Sequence, residues 1–268
     1  MTSGISAGGR SDLGSVIAAS GRFIEPADAA RALGVDAFTA AQKLSRWARQ
    51  GWVRRVRRGL YIAVPVEAPD PAAWSEDPLL VATRVWTPCY FTGWTAARHW
   101  GLTEQVFRTT LVRTAERVRA THVRLLDHDY VLSHISKDRL SWGLQNQWIG
   151  DMRIRFASPA RTVVEMFDDP MLGGGLRHCV EVLEQYLDEY DVTELIAAAD
   201  KLDNRAVFKR LGFVTETLGL HAPDVIAASQ ARLSSGVSSL DSGGADAGIV
   251  DRRWRLRVNA TVRSEGHS

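Results

Sequence analysis

The chain has little cysteine. Cys89 and Cys179 are its only two, in 268 residues, too few for a disulfide framework and without metal-ligand spacing. A reducing cytoplasm is therefore the expected compartment. No apolar run approaches the ~18 residues of a membrane span, which excludes a spanning helix. Met1–Arg10 lacks the apolar segment of a secretory signal and reads as a frayed leader. GxSxG, HExxH and a paired Cys-His arrangement are all missing. Gly173-Gly174-Gly175 has no following Lys-Ser/Thr, so it is a helix junction rather than a phosphate loop. The chain is expected to be no enzyme and to take no cofactor or metal. There is also no internal repeat of 20–50 residues.

The most telling absence is local. From Ala37 to Val66 there is no Asp or Glu, while Lys43, Arg46, Arg49, Arg54, Arg55, Arg57 and Arg58 fall in the same stretch. The whole chain carries 33 Lys/Arg against 31 Asp/Glu, a net charge of +2. The rest of the protein is therefore net acidic, and a basic domain is attached to one that is not.

Periodicity divides the N-terminal part into three short helices. Residues 11–20 form the first, with Ser11 as cap, Leu13, Val16 and Ile17 on one face, and Gly21 as stop. Pro26 opens the second, Ala29, Ala30 and Leu33 face inward, and Gly34 ends it. Asp36 caps the third, which runs to about Gln50 and buries Ala40, Leu44 and Trp47. Two strands separated by Gly59 follow. Three helices and a ribbon are the order of a winged helix-turn-helix, with Gly34-Val35 at the turn and the third helix as the recognition helix.

The outward side of that helix carries Thr39, Ala41, Gln42, Ser45, Arg46 and Arg49. Gln42 suits an adenine edge and Ala41 a thymine methyl. Thr39 and Ser45 suit a base edge or a phosphate, and Lys43, Arg46 and Arg49 suit phosphates. On the wing, Arg54, Arg55, Arg57 and Arg58 would straddle the backbone or enter the minor groove, while Val53 and Val56 pack inward. Those two valines have opposite strand parity, so the ribbon needs a bulge between them or leaves one exposed. The competing reading is a solvated basic hairpin. The coincidence of basic residues, helix spacing and missing acids favours duplex DNA, at an operator with repeated sites.

Val64–Ala73 holds three prolines and no period, a stiff linker. The expected domains are thus 11–66, a linker over 67–73, and 74–268. Beyond the linker, 79–86 and 94–101 read as helices and 106–135 as strands. A hairpin turns at Gly150-Asp151, with Met152, Ile154 and Phe156 on one face. From Ser158 the pattern is helical, with a long stripe of Leu176, Cys179, Val180, Leu183, Tyr186, Leu187 and Tyr190. Further helices are capped by Asp191 and Asn204. Residues 234–248 read as a mobile loop, and 253–259 as a strand returning to the sheet.

Several motifs occur in a fixed order: Gly51–Tyr61, Thr95–Gln105, Ala157–Pro170, Gly173–Arg177, Arg205–Phe213 and Arg252–Asn259. The series resembles the AbiEi antitoxins of bacterial and mycobacterial toxin–antitoxin systems, over about residues 11–260. The resemblance implies an N-terminal winged helix that represses its own operon. It also implies a C-terminal domain that counters a nucleotidyltransferase-like toxin of the AbiEii type. Members differ in whether the toxin is bound, so the role of the domain is carried over without catalytic residues.

Other constellations have plainer readings. His122, His128 and His134 recur every six residues, ~20 Å along a strand, which favours exposed strand and turn residues over a metal site. Glu181, Glu184, Asp188, Glu189, Asp191 and Glu194 form either a solvated helix face or a contact surface for a basic partner. Arg161 and Glu165 read as a modest i,i+4 pair, or as the anchor of a polar cluster. His99 reads as a helix-end residue. The expected architecture is α+β, a winged helix-turn-helix plus a larger mixed α/β domain. The expected function is operon repressor and antitoxin. The alternative is a stand-alone regulator whose C-terminal domain is a protein-interaction module.

Overall fold

Capping residues and left-handed glycines set the first elements, and the order along the chain follows from them. In a computed structural model, residues 7–65, 67–70 and 72–262 are described. The elements are α1 (Ala7–Ser20), β1 (Phe23–Ile24), α2 (Pro26–Leu33), α3 (Ala37–Arg49), β2 (Val53–Arg57), β3 (Leu60–Ala63) and α4 (Pro78–Trp86). Then come β4 (Cys89–Phe91), α5 (Gly93–His99), β5 (Thr109–Thr114), β6 (His122–Leu125), β7 (His128–His134), β8 (Leu144–Ile149) and β9 (Met152–Ala157). The C-terminal part adds α6 (Pro159–Asp168), α7 (Leu176–Glu189), α8 (Val192–Leu202), α9 (Arg205–Thr217) and α10 (Pro223–Ala231). Short strands β10 (Ser238–Ser239), β11 (Ile249–Asp251) and β12 (Leu256–Val258) complete it.

The chain divides into two compact units. One holds the residues up to Arg84 together with His122–Tyr130; the other holds Val85–Thr121 and the residues from Val131 on. In the first unit, Asp36 caps α3 by accepting from the Thr39 backbone N–H at 2.9 Å. Gly34 closes α2 in the left-handed region, φ 63°, as its position after the inward face requires. The core of this unit is Leu13, Val16, Ile24, Ala29, Ala40, Leu44, Trp47, Val53 and Tyr61. The buried residues of α3 are the three that its 3.6-residue period selects, Ala40, Leu44 and Trp47.

The hairpin β2–β3 is joined by β1 in a three-stranded antiparallel sheet, order β1-β3-β2. Its register shifts between Arg55 and Arg57. That bulge is what lets Val53 and Val56 both be buried despite their opposite parity. Gly59, φ 76°, makes the tight turn. Two sequence expectations are corrected here. The first helix begins at Ala7, so Ser11 lies inside it rather than capping it, because a serine is tolerated within a helix as well as at its cap. Ala7–Arg10 of the expected leader are helical, and Met1–Ser6 lie outside the described residues.

Within the second unit the strand order is β5-β4-β9-β8, with β4 and β9 parallel and the β4–β5 and β8–β9 pairs antiparallel. The β8–β9 hairpin turns between Ile149 and Met152, with Ile154 and Phe156 buried. Ser158 caps α6 through the Arg161 N–H, with Pro159 in its first turn. Every α6 residue from Pro159 to Phe167 is buried, so this helix is the centre of the unit, packed by α5, α7, α8 and α9. The stretch 234–248 is not only loop. It contains β10 and a fully buried Leu240. The expected strand 253–259 is confined to Leu256–Val258, after a turn through Arg252–Arg255. It belongs to a separate sheet, order β10-β12-β11. Alternating Arg and apolar residues satisfy a turn that buries one tryptophan as well as they satisfy a strand.

Candidate nucleic-acid interface

The outward side of α3 is built by the helix period itself. Residues 38, 42 and 45 lie about 200° around the helix from 40, 44 and 47 respectively, and 49 lies about 200° beyond 47. Phe38, Gln42, Ser45, Arg46 and Arg49 are all exposed, while Thr39, Ala41 and Lys43 are half-buried. Together these residues line one shallow depression of the surface. Gln42, Arg46 and Arg49 have no side-chain hydrogen bond or ion pair to any described residue, so their donors are available to a ligand.

The remaining α3 candidates are already engaged. The Thr39 hydroxyl donates to the Asp36 carboxylate at 2.6 Å, and this bond holds the Asp36 carboxyl below the usual carboxylate range. Lys43 Nζ pairs with Asp12 at 2.6 Å. Ser45 Oγ lies 3.5 Å from the Tyr61 hydroxyl.

The hairpin sorts its arginines by face. Directly paired residues of an antiparallel ladder share a face. Arg55 pairs with Tyr61 and Val53 with Ala63, and Val53 and Tyr61 are in the core beneath α3. Arg55 is thus on the α3 side. Arg49, Arg54 and Arg55, with Asp70, line one cleft. Arg57 and Arg58, at the turn, are exposed. Arg54 is on the other face with Ile62. Its guanidinium donates to the Trp74 carbonyl and to Asp127 at 2.8 Å, and its side chain is 18% exposed. The Arg54 hydrogen bond holds the Asp127 carboxyl below its ordinary range. Of the ten predicted residues, the structure therefore brings Gln42, Ser45, Arg46, Arg49 and Arg55 to one side. Arg57 and Arg58 lie at the ribbon's tip, and Thr39, Lys43 and Arg54 are tied into intramolecular bonds. Phe38, 72% exposed, was passed over in the sequence because apolar residues are read first as core. Its offset from the Ala40–Leu44–Trp47 stripe is the signal that places it outside.

In the second unit the Arg161–Glu165 pair is no surface pair. Both side chains are completely buried. Glu165 accepts from Arg161 Nε at 2.9 Å, from the Tyr90 hydroxyl at 2.7 Å and from the Thr92 hydroxyl, and it pairs with Arg113 at 2.9 Å. Burial alone would raise the Glu165 carboxyl. Arg113 and Arg161, with the two hydroxyls, outweigh burial and hold it below the usual range. Arg161 also donates to the Arg139 carbonyl at 2.8 Å and to that of Trp142, and it stacks on the Trp142 ring at 4.1 Å. Arg113 Nε has no hydrogen-bond partner among the described residues; the other bonds tie β4, β5, the 139–142 segment and α6 together.

His122 and His134 are exposed and His128 half-buried. His99, at the end of α5, stacks on Phe156 with centroids 3.8 Å apart. Among the described residues no group of three or more His, Cys, Asp or Glu is placed to hold a metal ion, and no helix is long and apolar enough to cross a membrane. On α7 and the turn after it, the acidic side chains are half-buried or exposed. Glu181 takes Arg177 at 3.4 Å and Gln105 at 2.9 Å as partners.

A basic, capped third helix packed on two others, followed by a larger mixed α/β part, is the architecture of a helix-turn-helix-type domain joined to a second domain. Residues 15–64 match the family model described as "Transcriptional regulator, AbiEi antitoxin". The match runs from within α1 to the residue after β3. It bears out the family resemblance there, and the motifs from Thr95 on lie beyond it. No curated protein matches the chain. Among solved structures, the fold is similar to that of the RV2827C protein from Mycobacterium tuberculosis, with a TM-score of 0.69 and 14% identity. The alignment covers 94% of this chain and 92% of that one. At that identity the likeness shows a shared fold.

Proposed function

We propose that the protein is a DNA-binding repressor of its own operon and the antitoxin to a nucleotidyltransferase-like toxin. Residues 11–66 serve as a winged helix-turn-helix, 67–73 as linker and 74–268 as the antitoxin-like domain. α3 enters the major groove, where Gln42 reads a base edge and Ser45 a base edge or phosphate. Arg46 and Arg49 take phosphates, and Arg55, Arg57 and Arg58 carry the wing along the backbone. The protein acts by binding, not catalysis.

The observation that supports this reading is that Arg49 of α3 and Arg54 and Arg55 of the ribbon line one cleft, with Asp70 as its one acidic member. Membership of residues 15–64 in a regulator family supports it. The test is a gel shift of the full chain on the DNA upstream of its own gene, with Arg46→Ala and Arg57→Ala variants. Weakened binding by both is expected, and unchanged binding by both rules out this surface. The antitoxin role is tested by co-expressing the full chain with the product of the adjacent gene. Rescue of growth is expected, and persisting arrest counts against it.

A further inference from the structure

The exposed face of α3 has one member that phosphate contacts do not explain. Phe38 stands at the second position of the helix and is 72% exposed. It shares the outward stripe with Gln42, one turn on, and the same surface depression as Ala41, Gln42 and Arg46. Single exposed apolar residues are ordinary on protein surfaces. This one sits where a recognition helix brings its first turn to the base edges, in a depression that Arg46 and Arg49 also line further along the helix.

We propose that Phe38 is a specificity-determining residue whose ring packs against the 5-methyl group of a thymine in the major groove. The inference rests on the DNA-binding reading above and adds to it the kind of base read. Major-groove edges expose one apolar group, the thymine methyl, and an aromatic side chain is a known complement to it. In the free protein the ring is hydrated. On binding, ring and methyl leave water together, so the gain depends on the base and not on the backbone. The hydrogen-bonding partner of the pair is Gln42, whose amide can bond an adjacent adenine bidentately. Together they favour an A/T-containing half-site under the first two turns of α3.

The experiment begins by selecting duplexes from a random-sequence pool with the full-length protein. Each thymine of the recovered site is then replaced singly by deoxyuridine, which removes only the methyl. Affinities are measured for the wild type, Phe38→Ala, Phe38→Leu and an Arg46→Ala/Arg49→Ala double variant. At the thymine that Phe38 meets, the uracil duplex should bind the wild type about fourfold more weakly, the value of one buried methyl group. Phe38→Ala should lose affinity for the thymine duplex, show no further loss with uracil, and keep the wild-type salt dependence. Phe38→Leu should retain part of the discrimination. Since Phe38 buries little in the fold, all three single-chain melts should coincide. Equal thymine-to-uracil ratios in wild type and Phe38→Ala at every position overturn the inference. If binding then still depends on Arg46 and Arg49, the DNA-binding reading stands without it. If no duplex is selected at all, both fall.

Discussion

If α3 and the ribbon bind DNA as proposed, the salt dependence of binding should separate the arginines without an ion-pair partner among the described residues from Arg54, which has one. Sequence alone offers seven cations from Lys43 to Arg58. The structure withdraws two. Arg54 is bonded to Asp127 and Trp74, and Lys43 is paired with Asp12. Arg46, Arg49, Arg55, Arg57 and Arg58 remain. Each phosphate neutralised contributes about −0.9 to the slope of log K against log salt, so five give about −4.5 per bound chain, against about −6.3 for seven. Between 50 and 200 mM salt the first slope corresponds to a loss of roughly 500-fold in affinity. Fluorescence anisotropy of a labelled duplex, titrated with salt, measures it. Arg57→Gln should flatten the slope by about 0.9. An Arg54→Gln/Asp127→Asn double variant, which removes the ion pair without changing net charge, should leave it unchanged. If that double variant flattens the slope as much as Arg57→Gln does, Arg54 leaves Asp127 to reach the DNA and the assignment of faces on the hairpin is wrong.

Three further outcomes concern the second unit. Glu165→Gln removes the carboxylate bonded to both Arg161 and Arg113. Stranding buried charges should cost about 3–5 kcal/mol, read as a fall of roughly 6–20 °C in the melting temperature by differential scanning calorimetry; a fall under about 2 °C would contradict the cluster's role. Because the Glu165 carboxyl is held below its ordinary value of 4.5 in the fold, its stabilisation is complete above that pH and lost as pH falls through the lowered value. The wild type should therefore show a steep acid limb in a pH series of melts, and Glu165→Gln a shallower one. Gly212→Ala would drive a methyl into the Trp254 ring, at a cost of about 1–3 kcal/mol by chemical denaturation; wild-type stability would mean that the ring can swing aside.

What the sequence made legible was whatever local chemistry decides. The α3 stripe of Ala40, Leu44 and Trp47 and its Asp36 cap follow from period and side-chain length, and strand parity at Val53 and Val56 leaves a bulge or an exposed valine, of which the fold has the bulge. The missed features depend on partners distant in sequence. Arg54 looks like any wing arginine until Asp127, 73 residues on, is brought to it. β1 is two residues long, and only its pairing with β3 makes it a strand. An Arg and a Glu four apart look the same on a wet helix as on a buried one. Tyr90, Thr92 and Arg113, which decide the matter, lie 52–75 residues away.

That same dependence explains what the later resemblance-bearing motifs do. Ala157–Pro170 supplies Arg161 and Glu165 to the buried ionic cluster. Gly173–Arg177 supplies Gly173, where a Cβ would collide with the Cys179 sulfur and with Met166. Arg205–Phe213 supplies Lys209 and Arg210, both buried. Lys209 is bonded to the Gly236 carbonyl and Arg210 to those of Ser239 and Phe167. It also supplies Gly212, on which Trp254 of Arg252–Asn259 is packed. Arg161, Lys209 and Arg210 thereby satisfy backbone carbonyls in turns and loops, at the end of α6 and in β10, as buried chain requires. The recurring residues of the second unit thus specify its scaffold. Any surface that meets a toxin must be sought among the exposed residues between them, just as the DNA surface proposed for α3 lies opposite its buried stripe.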